Sequence, residues 1–375
     1  MTPSGPLSGI RIVEVGHMLA GPYCGLLLAD LGADVVKVEP PDGDIARHVS
    51  PHFIGPHNAY FASLNRNKRS VVLDLGSREG QAGLAHLVRD AHALITNLRP
   101  SAIKKLGLTY DALREINPKL VCVALTGYGL DGPFSERPAY DYVIQATSGV
   151  MAITGEPDAP PTKTGYSAVD NSAGMLAAIG LLAKIVEGNG GQVDVAMYDT
   201  MLSQLNYLAG ASLNAGETPV RRANSSHPYI VPAQIFPTAD GWLTLFITHD
   251  LFWAKFCREL GQREWLTDPR FATMKARREN RVVVIDAITQ VLRSATAKEW
   301  TRRLSKFGVV AAEVQGLEDA LGDPVTADRR MVVQLGDGTL PLRAIGNPIR
   351  CSGFETEYRM PPTLGEHGAE LLKAV

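Results

Sequence analysis

The sequence has little that would direct the chain to nucleic acid or to a membrane. Its 37 Lys and Arg residues nearly balance its 39 Asp and Glu residues, and the net charge of -2 argues against a basic nucleic-acid-binding surface. No apolar run approaches the roughly 18 residues of a membrane span, and residues 1–9 lack the basic segment and apolar core of a signal peptide. We therefore expect a cytoplasmic protein with no nucleic-acid or membrane partner.

Cysteine is also scarce, and its positions exclude two kinds of site. The four cysteines are far apart, and none has the spacing of a Cys-x-x-Cys motif or of a Cys and His metal site. We predict no metal site and expect reduced, buried, structural thiols. These residues are Cys24, Cys122, Cys257 and Cys351.

What the chain does contain is an alternation of strand and helix patterns in its first half. A β-branched run at 10–15, a helical pattern at 20–31 and a second strand at 33–38 predict a parallel crossover unit. The repetition predicts an α/β fold with a doubly wound, Rossmann-like sheet. Further strands are predicted at 70–75, 93–96, 120–125 and 192–195, with further helices at 78–90 and 197–211.

The pattern changes near Gly216, where polar and turn-rich residues precede a predicted hairpin at 236–247 and helices at 250–307. Because 375 residues exceed the usual size of one domain, we take 216–323 as a second, smaller domain. The tail returns to strand and loop character. Within the small domain we expect Arg277, Arg278 and Arg281 on a solvated helix face.

Asp170 is the first candidate functional residue, because the sequence delivers it to the start of a helix. Apolar residues at helical spacing and the stop at Gly188 predict that helix. The free N–H groups of its first turn are expected to hold Asp170 ionised, and small neighbours are expected to leave space for a ligand. An accessible carboxylate is a possible nucleophile, whereas the alternative is a helix cap only. The apolar residues are Met175, Ile179, Leu182 and Val186; the small ones are Ser167, Ala168, Ser172, Ala173 and Gly174.

Ligands of doubly wound folds bind at the carboxyl ends of the strands. Here those ends carry Gly and Pro at 16–22, 39–41 and 126–129, which permits close approach of a ligand to the backbone. Gly127, Gly129 and Gly132 form a G-x-G-x-x-G sequence, but the proline-containing segment that follows cannot open a helix. We therefore exclude a dinucleotide cofactor.

Taken in order, the motifs of this chain resemble those of the class III coenzyme A transferases, which include formyl-CoA transferase and have α-methylacyl-CoA racemases as relatives. The resemblance runs from Leu7 to the C-terminus. It implies a homodimer of two interlocked, ring-like chains, each with a large Rossmann-like domain from 1–215 and 324–375 and a small domain from 216–323. The motifs are Ala20-Gly21-Pro22, Asp30–Asp34, Val36–Glu39, Gly43-Asp44, Asn65–Ser70, Leu73-Asp74, Asn97, Tyr140-Asp141, Gln145-Ala146, Asp170, Gly174, Asp240-Gly241, Pro361-Pro362 and Leu364–His367.

The same resemblance implies that Asp170 is the nucleophile of a transfer of CoA from an acyl-CoA thioester to a carboxylic acid. It implies no cofactor beyond the CoA thioester substrate, and it places Tyr140 and His249 beside the substrate, although a structural role at the start of a helix stays open for His249. The positions it implies for CoA binding are His17, Met18, Leu19, Ala20, Pro40, Leu73, Asn97, Leu98 and Lys105.

Departures from the family pattern bear on the reaction. The racemases carry a histidine where this chain has Tyr140, and a tyrosine with a pKa near 10 is a weak base for an α-proton. Racemisation is therefore disfavoured, although an epimerase and a CoA-binding protein without catalysis remain open. The glycine run of formyl-CoA transferase is missing near 224–229, which disfavours a formate and oxalate pair. Arg47, Arg66 and Arg69 are candidates to pair with the second carboxyl group of a dicarboxylate.

Overall fold

A computed structural model describes residues 5–373, which form two compact units. The first unit contains the chain up to Val150, Lys163–Ala215 and the chain from Pro324 onward. The second contains Met151–Thr162 and Gly216–Asp323. The segment 151–162, which we had placed in the large domain, joins the second unit because Arg221 donates hydrogen bonds to the carbonyl oxygens of Glu156 and Ala159.

A six-stranded, all-parallel sheet organises the first unit, which confirms the predicted α/β class. The strand order is β5-β2-β1-β6-β7-β8, and Val13 in β1 pairs with Val36 on one side and Leu94 on the other. Two short antiparallel pairs, β3 with β4 and β12 with β13, accompany the sheet. The strands are β1 (Arg11–Val15), β2 (Asp34–Glu39), β3 (Phe53–Ile54), β4 (His57–Asn58), β5 (Arg69–Val72), β6 (Ala93–Thr96), β7 (Val121–Thr126), β8 (Gly191–Ala196), β12 (Val332–Gln334) and β13 (Arg343–Ile345).

Helices cover both faces of this sheet, as its strands require, since alternate side chains point to opposite faces. Ile12 and Val123 belong to the core on one face, whereas Val13 and Cys122 belong to the core on the other. The helices of the first unit are α1 (Ala20–Asp30), α2 (Ala59–Asn65), α3 (Arg78–Arg89), α4 (Pro100–Lys105), α5 (Tyr110–Leu113), α6 (Asp141–Thr147), α8 (Ala168–Glu187), α9 (Met197–Gln204), α10 (Asn206–Ala215), α16 (Pro324–Asp328) and α17 (Gly368–Leu371); α7 (Val150–Ile153) lies at the unit boundary.

Helix α8 contains Asp170 and ends where predicted, with Gly188 in the left-handed conformation at φ 83°. Its buried residues, from Ala168 to Leu181, are mostly alanine, glycine and serine, and the helix packs on α1. In residues 5–373 it is the one helix whose length and composition would also suit a membrane span, and 39% of that apolar segment is buried within the protein.

The second unit is an antiparallel sheet packed against helices around an aromatic core that includes Trp253 and Trp265. The solvated face expected for Arg277 is wrong, because this guanidinium is fully buried over the Trp253 ring and donates to two carbonyl oxygens. The elements are β9 (Ala233–Pro237), β10 (Trp242–Phe246), β11 (Ala311–Glu313), α11 (Asp250–Glu259), α12 (Met274–Glu279), α13 (Arg281–Leu292), α14 (Ala297–Ser305) and α15 (Leu317–Gly322).

The C-terminal tail docks on the edge strand β5. The His367 N–H donates to the carbonyl oxygen of Ser70 at 2.9 Å, and the Gly365 N–H donates to the Ser70 hydroxyl at 3.0 Å. All four cysteines are free thiols; three are buried as expected, whereas Cys351 in the tail is half-buried.

Candidate active site

The loop after β1 is the first element of the site, and Asn97 at the end of β6 holds it. The Asn97 side chain accepts the His17 N–H and donates to the His17 carbonyl oxygen, both at 3.0 Å. A Cβ on Gly16 would stand 2.3 Å from the Asn97 Oδ1, so only glycine fits there. The predicted CoA-binding residues His17 and Asn97 are therefore brought together, with the Asn97 amide committed to the loop.

Met18, in the same loop, has a left-handed backbone with φ 62°, which is unfavourable for a residue with a side chain. Asp44 compensates by accepting the Met18 N–H at 3.1 Å. Lys37, which is fully buried, lies 2.9 Å from Asp44 and also donates to the Gly16 carbonyl oxygen. A buried ionic cluster beneath the sheet end thus fixes the conformation of this loop.

Two further groups complete that cluster. Glu14 pairs with Lys37 at 3.0 Å and with Lys68 at 2.7 Å, and all three side chains are buried. Burial lowers the pKa of Lys68 to about 8, with the charge of Lys37 acting in the same direction. Burial also lowers the pKa of His17, so this imidazole is neutral at physiological pH.

Asp170 is the third residue of α8, but it does not cap the helix. Asp141 accepts the Val169 N–H at 2.9 Å instead, and Gln145 donates to the other Asp141 oxygen at 2.6 Å. In residues 5–373 the Asp170 carboxyl has neither a hydrogen bond nor an ion pair. The alternative that Asp170 serves only as a helix cap is therefore excluded by its geometry.

The expectation that Asp170 is held ionised is wrong. Burial raises its pKa to about 7, and the nearby Asp141 carboxylate acts in the same direction. The physical reason is mainly that the carboxyl is buried without a hydrogen-bond donor among the described residues, and Asp141, which accepts the Val169 N–H, adds a like charge beside it. A carboxylate that is this basic, partly accessible and unpaired is suited to nucleophilic attack.

Space for a ligand does lie beside Asp170, but most of the small residues expected to provide it serve a different purpose. Ala168, Ser172, Ala173 and Gly174 are buried, and a Cβ on Gly174 would stand 2.8 Å from the Ala20 carbonyl oxygen. Small residues here let two helices approach closely. The open space lies on the side of Asp170 that faces the strand ends.

That space is a cavity of about 130 Å³, lined by Asp170 and by most of the residues predicted to contact the substrate. Those predicted residues are His17, Met18, Leu19, Ala20, Asn97, Leu98 and Tyr140. Tyr140 is 67% exposed and immediately precedes α6. The lining residues that sequence reasoning had not selected for the site include Tyr60, Met197, Arg99 and Arg137.

A second, mostly apolar cavity of about 430 Å³ adjoins the first, because His17 and Leu98 line both. It also contains the predicted residues Pro40 and Leu73. Lys105 lines neither cavity and is an exposed residue at the end of α4. The geometry therefore gathers all predicted CoA-binding residues except Lys105 along one edge of the sheet.

Comparison with known proteins identifies the family. Residues 7–368 match the model of CoA-transferase family III. The chain belongs to this family. It is 38% identical to the succinate–glutarate CoA-transferase of Agrobacterium fabrum, covering 98% of this chain and 95% of that one. It is 34% identical to the acetyl-CoA:oxalate CoA-transferase of Acetobacter aceti, covering 99% and 96%.

A solved structure supports the same assignment. A CaiB/BaiF family protein from Brucella suis is 34% identical, covers 98% of both chains and superposes with a TM-score of 0.86. The protein is thus an enzyme, a family III CoA-transferase that acts on acyl-CoA and carboxylic acid substrates.

The remaining candidates of this family III CoA-transferase have different surroundings. His249 belongs to the second unit, where it precedes α11 and lies beside Phe252, with 5.9 Å between the ring centroids.

The role proposed for the three arginines is wrong, because each guanidinium already has a carboxylate partner. The pairs are Arg47 with Glu39 at 2.7 Å, Arg66 with Asp30 at 2.5 Å and Arg69 with Asp34 at 2.5 Å.

Tyr60 is a missed residue with a detectable link to the nucleophile. The burial of its hydroxyl raises its pKa, and the charges of Asp170 and Asp44 act in the same direction. Tyr60 is the second residue of α2, and the side chain of Asn58 caps that helix by accepting the Tyr60 N–H at 2.9 Å. The Asn58 cap was readable in the sequence, but the proximity of Tyr60 to Asp170 arises only from the fold.

Proposed function

We propose that this enzyme moves CoA between two carboxylic acids through a covalent intermediate on Asp170. The observation that supports this mechanism is the unpaired Asp170 carboxyl, with a pKa raised to about 7, at the wall of a cavity that adjoins a second, apolar one. A basic carboxylate is a better nucleophile than one held by hydrogen bonds, and the adjoining cavity offers space for the apolar arm of CoA.

The proposed exchange consists of two steps and their reverse, and each breaks one bond as it forms another. The Asp170 carboxylate attacks the thioester carbonyl carbon, and the carbon–sulfur bond breaks to give a mixed anhydride and CoA thiolate. The thiolate then attacks the Asp170 carbonyl carbon of the anhydride, which releases the donor acid and leaves an aspartyl-CoA thioester. The acceptor carboxylate repeats the two steps in reverse order and regenerates Asp170. Anhydride and thioester store similar free energy, so no external energy source is required.

Tyr140 and Tyr60 are proposed to orient the substrate, since both line the cavity with Asp170. Each phenol can donate one hydrogen bond to a carbonyl oxygen of the substrate. His17, Met18, Leu19 and Ala20 are proposed to contact the thioester end of CoA, and Pro40, Leu73 and Leu98 its more distant parts. Lys105, which is exposed at the end of α4, is proposed to contact a solvent-exposed phosphate of CoA.

Dicarboxylic acids are the proposed substrate class. The names of both relatives include a dicarboxylate, namely succinate and glutarate in one and oxalate in the other. The cavity beside Asp170 contains two arginines without carboxylate partners in the described part of the chain. Cations near the nucleophile favour a substrate that carries a second negative charge.

We also propose a homodimer, as the family resemblance implies. Helix α8 presents exposed aliphatic side chains opposite its buried face, and none of the residues of α10 is buried. Exposed apolar surface of this kind is typical of a surface covered by another protein. The exposed side chains are Met175, Leu176, Ile179 and Val186 in α8 and Tyr207 and Leu213 in α10.

Mass spectrometry of the intact protein tests the covalent mechanism. The protein is incubated briefly with succinyl-CoA, acetyl-CoA or other thioesters and then trapped with hydroxylamine or borohydride. We expect a modified peptide that contains Asp170, and we expect Asp170→Asn to abolish it. Asp199→Asn is the matched control, because Asp199 also stands third in a helix of the first unit but is exposed.

The alternatives give different results in the same samples. If no thioester modifies the wild-type protein, the covalent mechanism is wrong. Uptake of deuterium at the α-carbon of an acyl-CoA would then indicate an epimerase. A protein that binds acyl-CoA equally well with Asp170→Asn, and exchanges neither CoA nor deuterium, would be a binding protein only.

A further inference from the structure

Two arginines line the cavity that contains Asp170, and they differ from the other arginines of the first unit that we had considered. In residues 5–373, neither Arg99 nor Arg137 forms an ion pair with a carboxylate, whereas Arg47, Arg66 and Arg69 all do. Neither one approaches Asp170 within the ion-pair distance of 4.0 Å. Positive charge therefore lies on the wall of this cavity without neutralising the nucleophile.

The guanidinium of Arg137 is held in position by a ring. It lies over Tyr128, with 5.2 Å between its central carbon and the ring centroid. The half-buried Tyr128 ring packs in turn against Tyr198, with 5.7 Å between centroids. Stacking on an aromatic face fixes the plane of a guanidinium and leaves its N–H donors available at the edge.

The backbone that carries Arg137 is tied to the helix of the nucleophile. The Arg137 N–H closes a turn by donating to the Phe134 carbonyl oxygen at 3.0 Å. Ala139 packs where a Cβ on Gly127 would stand, at 2.3 Å, so the segment lies tightly on the end of β7. Asp141, four residues after Arg137, accepts the N–H of Val169, the residue before Asp170. Arg137 and Asp170 thus belong to one hydrogen-bonded framework.

Arg99 has a different setting. It follows Leu98, which lines both cavities, and it precedes α4 without a side-chain cap. Arg99 thus neighbours the residue that the two cavities share, and an exposed guanidinium in this place suits a CoA phosphate. Glu136 also lines the cavity of Asp170, and its charge opposes that of Arg137 at long range. The net charge of this wall is therefore small, and an anion bound here would depend on direct hydrogen bonds from a guanidinium.

We infer that Arg137 is the specificity-determining residue of the acid site, where it binds the second carboxylate of a dicarboxylic acid while the first reacts at Asp170. A planar guanidinium with free N–H donors matches a carboxylate through two parallel hydrogen bonds. A monocarboxylic acid of equal length would leave these donors without that partner. The inference rests on the proposed transfer through Asp170.

The test compares glutarate with pentanoate, which has the same number of carbon atoms, as acceptors from saturating succinyl-CoA. For each enzyme, the selectivity is the kcat/KM for glutarate divided by that for pentanoate. We expect R137Q to lower this selectivity by on the order of ten- to a hundredfold, the usual effect of removing a charge-assisted pair. R137K, which keeps the charge but not the two parallel donors, is expected to lower it by less.

R99Q is the matched control, because it removes an equal charge from the same cavity wall. We expect R99Q to change the selectivity by less than about threefold, even if it weakens CoA binding. The inference is overturned if R137Q affects both acids equally, or if R99Q produces the change in selectivity. Arg99 and Arg137 are both exposed, so circular dichroism is expected to show the wild-type fold for R99Q and R137Q.

Hydroxylamine trapping in the same samples separates this inference from the proposed function. A wild-type enzyme that forms the trapped Asp170 adduct but accepts glutarate and pentanoate equally well would overturn the role of Arg137 alone. A wild-type enzyme that forms no adduct would overturn the covalent mechanism first.

Discussion

At the scale of single residues, the environment of Asp170 makes its carboxylate more basic and lowers the stability of the folded protein. Its pKa is raised from 3.8 to about 7 by burial and by Asp141, so the folded state binds more protons than the unfolded state between those values. Stability therefore falls as pH rises from about 4 to about 7 and stays lower above that range. Asn cannot ionise and escapes this penalty.

We therefore expect Asp170→Asn to raise the free energy of unfolding at pH 8 by on the order of 1–4 kcal/mol relative to the wild type. The difference should shrink at pH 5, where the wild-type carboxyl is mostly protonated. Urea titrations at both pH values measure this change, and Asp199→Asn serves as the exposed control. An equal rise in the free energy of unfolding at both pH values would show that ionisation of Asp170 does not destabilise the protein.

The same raised pKa predicts how the covalent step depends on pH. Only the ionised carboxylate attacks a thioester, so the rate of adduct formation should rise as pH increases through about 7 and then level off. Quenched-flow mass spectrometry with succinyl-CoA between pH 5.5 and 8.5 measures that rate. A rate that is already constant at pH 5.5 would mean that Asp170 is ionised there, contrary to its surroundings.

At the scale of elements, the contact between α1 and α8 sets the position of the nucleophile. Gly174 permits this contact, since a Cβ there would stand 2.8 Å from the Ala20 carbonyl oxygen and 3.1 Å from the Tyr23 ring. We expect Gly174→Ala to destabilise the protein by about 1–3 kcal/mol, because a backbone atom must shift. It should also slow adduct formation, because α8 carries Asp170 and Ala20 lines the same cavity.

Gly322→Ala is the control for this substitution. Gly322 also belongs to a helix, but no atom lies within 4 Å of the position of its added Cβ. We expect a change in stability near zero or slightly favourable, since alanine favours helix more than glycine does. Equal losses from both substitutions in thermal denaturation would refute the packing argument.

The elements themselves were largely predictable, because they depend on local periodicity. Strand Ala93–Thr96 was predicted to the residue, and the predicted strand at 120–125 is shifted by one residue from Val121–Thr126. Helix α8 was predicted from four apolar residues, yet three of them, Met175, Ile179 and Val186, are exposed, and its buried residues are mostly alanine, serine and glycine. Periodicity located the helix, whereas the choice of buried face depended on the close approach of α1.

The ionic properties of the site could not be predicted in the same way, because they depend on partners that are distant in sequence. Burial, together with the charge of Asp141, which accepts the Val169 N–H, raises the pKa of Asp170 where the sequence predicted an ionised carboxylate. Arg277 was expected in solvent, yet the Trp253 ring and two carbonyl oxygens accommodate it in a core. The sequence motif located Asp170, but only the fold shows its neighbours.

At the scale of the whole molecule, the exposed aliphatic face of α8 predicts self-association. Ile179 is 62% exposed in one chain, and its burial by a second copy would favour a dimer. We expect the wild type to sediment with twice the mass of one chain, and Ile179→Glu to yield monomer or aggregate. Val282→Glu is the control, because Val282 is 72% exposed but belongs to α13 of the second unit. A wild-type monomer at micromolar concentration would refute the dimer.

Interlocking of the two chains, which the family resemblance implies, makes a prediction that an ordinary dimer does not. Two linked rings separate only when one chain opens, so exchange of subunits must be as slow as global unfolding, with half-lives that can reach days. Tagged and untagged dimers are mixed, and the fraction of mixed dimers is followed by native mass spectrometry. We expect no mixed dimers after a day under native conditions, but a statistical fraction after joint unfolding in urea and refolding. Exchange within an hour at a concentration where the dimer persists would exclude interlocking and leave an ordinary interface on α8.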